Sequence, residues 1–324
     1  MSPSMHLTKK LSLFAVLSLA WTLSTASALT ISPARIELTA DPASSISDTF
    51  LLINEQETEQ TFYTSVENFE AQGESGTPSF TVAKEGLASW VKVDGKITLK
   101  KGERAKVPFT VSVPKDADTG GHFAAIFVST VPPSSKAGEV AVGAKVGMLV
   151  LLRVNGELKE GGGVLSFSLK NKSHFATELP LQFTYRFNNS GNDRVNPVGE
   201  IAVRNMLGIT IERLNANPSV GNILPNSTRK FDVTWGEEEA LPESASFFAH
   251  AGYQARNFAL GIYSAKMTLA FGSASSTTNT TLLFIFPWQL MTLVLLFLIA
   301  LFAVLRVLVK RYNTWIIKQA RMQG

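Results

Sequence analysis

Between Leu29 and Phe271, apolar and polar residues alternate in a series of short runs. From Ala105 to Val113, the residues Val107, Phe109, Val111 and Val113 face one way, while Lys106, Thr110 and Ser112 face the other. The same period of two places Ile36 and Leu38 on one face of Arg35–Thr39, and it recurs in Leu165, Phe167 and Leu169 and in Phe231, Val233 and Trp235. Its longest stretch is Leu179, Leu181, Phe183, Tyr185 and Phe187. A period of two marks a strand with one buried face. Thr49–Ile53, Thr61–Phe69, Phe123–Val131 and Val146–Val154 read as further strands from their β-rich composition, and Tyr263–Phe271 as the closing strand. Trp90–Val93 and Ile97–Leu99 flank Asp94-Gly95, a hairpin signal. Glu200–Val203 and Ile209–Ile211 flank the turn Asn205–Gly208. Pro108 cannot donate to a ladder and is expected at an edge or a bulge. No helical period stands out in 29–155. The pattern predicts an all-β fold of two antiparallel sandwiches in tandem. The hinge-like Gly161-Gly162-Gly163 divides them into domains 29–160 and 161–272.

The alternation stops in Leu282–Val309. From Leu290 to Leu305 there is no charge, and Thr292 is the one polar side chain. About 20 apolar residues in a helix cross a bilayer, so 284–309 is expected to be a transmembrane helix. A buried core helix would be shorter and polar on one side. Trp288 marks one interface, and Arg306, Lys310 and Arg311 mark the cytoplasmic one. The Ser/Thr/Asn-rich stretch 273–283 reads as a flexible stem, and 310–324 as a basic cytoplasmic tail. Within that tail, Tyr312–Gln319 is either a simple stop-transfer segment or a small helix on the inner leaflet. At the other end, Lys9 and Lys10, the apolar run Leu11–Leu23 and Ala26-Ser27-Ala28 predict a signal peptide over 1–28, cut between Ala28 and Leu29. A retained N-terminal anchor is the competing reading.

Charge changes the picture only once it is partitioned. The net charge of +4 invites a nucleic-acid reading. Two of the basic residues lie in 1–28, however, and five more, Arg306, Lys310, Arg311, Lys318 and Arg321, lie in 306–324. The remaining 29–305 holds 23 basic residues against 26 acidic ones, a net of −3. The basic character therefore belongs to topology, and a mildly acidic ectodomain is a poor polyanion binder, so no nucleic-acid partner is expected. The chain has no cysteine, so each exported domain must stand on its hydrophobic core alone.

Candidate chemistry is sparse. There is no G-x-S-x-G, no H-E-x-x-H and no phosphate-binding glycine loop. His6, His122, His174 and His250 lack zinc spacing. Asp116-Ala117-Asp118-Thr119-Gly120 opens like a calcium loop, but Phe127 stands where the closing acid belongs. No cofactor or metal is expected. Glu237-Glu238-Glu239 reads as a solvated loop, and Pro132–Gly138 as either a connector or a recognition loop.

The stretch Val113-Pro114-Lys115-Asp116-Ala117-Asp118-Thr119-Gly120-Gly121-His122-Phe123-Ala124-Ala125-Ile126 resembles the signature of the WxL-interacting protein family. Ile31-Ser32-Pro33-Ala34-Arg35 is similar to its opening strand. Phe187–Asn192, Asn196–Gly199 and Gly221–Arg229 are similar to its second module. Modules of the pilus-chaperone type have similar openings. The resemblance implies two immunoglobulin-like domains, one span and a short basic tail, with the first domain on peptidoglycan and the second on a protein partner. The expected protein is then a non-catalytic, membrane-anchored binding or scaffolding protein at the cell surface. An accessory subunit acting through its transmembrane helix is the alternative. A hydrolase whose paired carboxylates meet only in the fold is a third reading.

Overall fold

The computed structural model describes residues 29–82, 85–132, 145–236, 241–242, 244–272 and 275–320. Tertiary contacts divide them into two compact units. Unit 1 gathers the described residues of 29–69, 80–118 and 122–154, and unit 2 gathers those of 70–79, 119–121 and 155 onward. The division falls at Val154/Asn155, ahead of the expected boundary at Gly161. Residues 1–28, where the expected signal peptide and its cleavage residue Ala28 lie, fall outside the described residues, as do Glu237–Glu239 and most of Pro132–Gly138.

In chain order the first strands are β1 (Leu29–Ser32), β2 (Arg35–Ala40), β3 (Ser45–Asn54), β4 (Gln60–Gln72) and β5 (Thr77–Thr81). A one-turn helix α1 (Leu87–Trp90) leads into β6 (Val91–Val93) and β7 (Lys96–Leu99), followed by β8 (Arg104–Ser112), β9 (Gly120–Ser129) and β10 (Lys145–Val154). One sheet has the order β1-β3-β8-β6 and the other β2-β10-β9-β4-β5, with β7 beside β4. The chain changes sheets at Ser32-Pro33-Ala34: β1 runs antiparallel to β3, whereas β2 runs parallel to β10. The expected hairpin at Asp94-Gly95 is a second such crossing. Val91–Val93 pair with β8, and Lys96–Leu99 pair with β4 in the opposite sheet. No hairpin turn forms at Asp94-Gly95, because the apolar residues on its two sides close different layers. Pro108 lies opposite Thr49, one residue beyond the last β6 pair, Val93↔Phe109. Its missing N–H is therefore tolerated because β6 has already ended there. Val107, Phe109, Val111 and Val113 are all buried, as their alternation predicts. They pack with Phe50, Leu52, Phe62, Ile126, Met148 and Leu152 in one core. Each such side chain contributes about 1.5–3 kcal/mol by leaving water.

Unit 2 contains β11 (Gly162–Leu169), β12 (Phe175–Ala176), β13 (Leu181–Asn189), β14 (Val198–Asn205), β15 (Thr210–Asn215), β16 (Ser227–Trp235), helix α2 (Phe247–Arg256), β17 (Gly261–Phe271), β18 (Ser275–Ile285) and helix α3 (Trp288–Ala320). Its sheets are β11-β13-β16 and β12-β18-β17-β14-β15. The inward faces carry the predicted set Phe183, Tyr185, Phe187, Phe231, Val233 and Trp235. The fold is thus all-β, two β-sandwiches followed by one apolar helix.

Three sequence expectations change here. The glycine triplet is not a hinge, because Gly162 and Gly163 pair with Asn189 and Asn188 inside a sheet. A Cβ on Gly162 would meet the Asn188 carbonyl oxygen at 2.4 Å, so glycine serves close backbone approach there. The stem is not flexible either. Ser275–Ile285 is a strand paired along its whole length with β17. Thr is β-branched and suits a pleated surface as well as Val does; the absence of large apolar residues concealed the alternation. Leu282–Ile285, read as the start of the span, belong to the same strand, so the helix begins at Trp288 rather than 284. Beyond Val309 it continues to Ala320 without a break, which makes the described part of the tail helical.

Candidate functional site

The region with the most specific polar geometry is the joint between α2 and the start of α3. Helix α2 was not visible in the sequence. Ser246 caps it by accepting from the Ala249 N–H at 3.2 Å, and Ala251, Tyr253 and Gln254 turn inward. Gln254 is 1% exposed and turns both ends of its amide to α3 and to Glu178. Its Oε1 accepts from the Leu290 N–H at 3.0 Å. Its Nε2 donates to Gln289 Oε1 at 2.6 Å and to Glu178 Oε2 at 3.2 Å. Glu178 in turn holds His250 Nδ1, at 3.0 Å to Oε1 and 3.1 Å to Oε2. The first N–H groups of any helix lack partners within that helix; here a side chain from α2 supplies one. The Trp288 ring packs edge-on against Phe247 at 5.6 Å. The strongly polar Gln289 at the start of the helix is therefore a fastening to the rest of unit 2. Replacing Ser246 by Ala should cost about 1 kcal/mol, seen as faster amide exchange in the first turn of α2 with little effect elsewhere.

Trp288, Arg306, Lys310 and Arg311 fall along one helix, α3. Leu29 opens β1 and is buried. Trp288 begins α3, and Arg306, Lys310 and Arg311 lie exposed farther along it. At 1.5 Å per residue, Trp288 and Arg306 are about 27 Å apart, close to the roughly 30 Å of a hydrocarbon core. The stretch Trp288–Gln319 is long and apolar enough to cross a membrane, and its apolar window is wholly unburied. Tyr312 and Trp315 stack near its far end, with ring centroids 6.3 Å apart.

The loop motifs of unit 2 prove to be clamps. Asn189 Nδ2 donates to the carbonyls of Asp193 and Ile223, and its Oδ1 accepts from the Gly191 N–H. Asn217 Nδ2 donates to Asn196 Oδ1 and to the carbonyls of Pro197 and Gly221, while its Oδ1 accepts from the Gly221 N–H. Burial pulls the Arg229 guanidinium below its ordinary value, and its Nη1 donates to the Asn222 carbonyl at 2.8 Å. In unit 1 the His122 ring packs on Trp90 at 4.6 Å, and its Nε2 lies 2.8 Å from the Asp118 carbonyl. Among the described residues no three His, Asp or Glu come together as a metal site. A cavity of about 460 Å³ in unit 2 is lined by Leu179, Ile211, Trp235, Phe258 and Tyr263, with Glu212 and Arg256 as the charged side chains among the described residues there.

No family model and no curated protein matches the chain. Solved structures do. The class 5 fimbriae chaperone CfaA is 14% identical, with a TM-score of 0.40, over 79% of this chain and 99% of its own. The chaperone–tip adhesion subunit complex CsuC–CsuE of Acinetobacter baumannii is 13% identical, with a TM-score of 0.36, over 80% and 98%. The E. coli chaperone DraB is 14% identical, with a TM-score of 0.35, over 78% and 95%.

Proposed function

We propose that this chain is a single-pass, membrane-anchored binding protein without catalysis, whose two sandwiches stand outside the cytoplasm and engage an extracytoplasmic protein. The observation that carries the reading is the joint: an apolar helix of membrane-crossing length grows directly from the last strand of a β-sandwich and is fastened to it by Gln254. Such a device serves to hold a folded unit at a set place over a bilayer. Trp288 before the span and Arg306, Lys310 and Arg311 after it favour an inward C-terminus. The sheets end in edge strands, β15 among them, and an edge can accept a partner's strand. The resemblance to the WxL-interacting family adds wall peptidoglycan as a second ligand for unit 1.

Two measurements test this. The chain has no cysteine, so Thr278→Cys and Thr314→Cys each introduce one labelling site. A membrane-impermeant maleimide on intact cells should modify Thr278→Cys and spare Thr314→Cys until the cells are opened; the reverse pattern would invert the topology. The full chain in detergent should then retain a specific envelope protein from solubilised membranes. Sedimentation with isolated sacculi alone would move the binding role to wall polymer, and retention of neither would remove it.

A further inference from the structure

The outward face of the five-stranded sheet in unit 2 changes character along its length. On β18 the exposed positions run Ser276, Thr278, Thr280, then Leu282 and Phe284, followed by Phe286 just past the strand as the chain approaches α3. β17 runs the opposite way, and its exposed residues begin with Ile262 and continue with Lys266 and Thr268. The connection from β14 to β15 exposes Met206, Leu207 and Ile209, and farther along the outward face of β15 Arg213 lies in register with Ala202 and Lys266. Register places all the apolar ends together. Asn205 pairs with Tyr263, Gly261 with Ile285, and Phe175 with Phe284. A Cβ on Gly261 would meet Met206 Cε at 2.6 Å, so the β14–β15 turn reaches over the start of β17. Phe258 and Leu260, just before β17, are exposed at this end too. Phe248 of α2, 73% exposed, adjoins Phe247, which packs on Trp288.

Water-facing surfaces rarely gather large apolar side chains into one continuous rim. A bilayer interface favours aromatic and aliphatic residues with few charges, and α2 carries no acid and one cation, Arg256. The rim is also continuous with α3. Only Phe286 and Pro287 separate β18 from Trp288, and the Gln254 joint leaves no slack between them. We propose that this end of unit 2 is a second membrane contact: Leu207, Phe248, Phe258 and Phe286 rest in the lipid interface of the bilayer that α3 enters. The inference rests on α3 being a span. Its consequence is a unit held at a fixed tilt, with its polar end turned away from the lipid.

Single-cysteine variants of the full chain, carrying nitroxide labels in phosphatidylcholine–phosphatidylglycerol vesicles, test both layers separately. Leu298→Cys, in the span, reports the anchor; Leu207→Cys and Phe248→Cys report the rim; Thr278→Cys reports the polar end. Oxygen should relax the labels at 298, 207 and 248 more effectively than a water-soluble nickel chelate does, with the preference reversed at 278. If 298 favours oxygen while 207 and 248 behave like 278, the rim faces water and the proposal fails with the anchor intact. If 298 also favours nickel, both fail. Concentration-dependent spin–spin broadening at 207 would assign the rim to a second copy and overturn the lipid contact.

Discussion

Replacing Tyr185 by Ala will abolish cooperative unfolding of unit 2. The ring is fully buried, stacks on Phe231 at 4.9 Å with planes 11° apart, and donates from its hydroxyl to the Ala216 carbonyl at 2.9 Å. Removing a buried aromatic ring costs about 3–5 kcal/mol, and stranding a buried carbonyl adds about 1–3 kcal/mol. The sum approaches the whole stability of an ordinary domain. Thermal unfolding of the full chain in detergent, followed by near-ultraviolet circular dichroism, should lose one transition. Tyr185→Phe keeps the ring and should cost only about 1–2 kcal/mol. The two variants also separate under alkali. Burial pushes the Tyr185 phenol up from its ordinary 10.0. Above pH 10 the unfolded chain releases this proton while the folded one keeps it, so stability is full below about 10 and is lost as pH rises from there toward the folded value. Tyr185→Phe removes that contribution, and its stability should fall less steeply in the same window. Equal slopes would show that the hydroxyl reaches water in the folded state.

Much of this core was legible because its signal is local. The alternation through Leu181–Phe187 and Val107–Val113 states which face is buried without any knowledge of the partner strand. What could not be read depends on partners distant in sequence. Asp94-Gly95 has the chemistry of a hairpin turn, yet its two flanks pair with β8 and β4, chosen by which sheet each apolar face closes. Ser275–Thr281 looks like a linker because Ser and Thr dominate, and only the length of β17 alongside makes it a strand. α2 turns only Ala251, Tyr253 and Gln254 inward while Phe248 stays exposed, so its apolar residues do not line one helical face; the signal present was the capping Ser246 ahead of an alanine-containing stretch. The candidate site was half visible. Trp288 and the basic cluster stood out by residue type, whereas Glu178, His250 and Gln254 gain meaning only where the fold brings them to Gln289. In the stretches Phe187–Asn192 and Gly221–Arg229 the structure shows loop clamps made by Asn189 and Asn217, which depend on loops brought together by the fold.

That joint carries the second large effect. Gln254→Leu leaves the Gln289 amide and the Leu290 N–H without their partner in a site where Gln254 and Gln289 are both buried. Each stranded group costs about 1–3 kcal/mol, so the variant should lose roughly 3–4 kcal/mol. The loss should concentrate at the joint: amide exchange at Leu290 and Met291 should accelerate, and protease should reach the Phe286–Trp288 segment. Gln289→Leu alone strands the Gln254 Nε2 donor in the same way, although Glu178 remains to accept from it. Removing both amides leaves fewer unpaired groups than the single changes imply. The double variant Gln254→Leu/Gln289→Leu should therefore be more stable than the sum of the single losses predicts, by about 1–2 kcal/mol of coupling. The Leu290 N–H stays unpaired in that double variant, so its exchange should remain fast even where global stability recovers. A strictly additive pair, or slow exchange at Leu290 in Gln254→Leu, would mean that α3 is held by Phe247 and Trp288 packing alone. Rigidity of the joint would then depend on the aromatic contact, and Trp288→Ala would become the variant that frees the anchor.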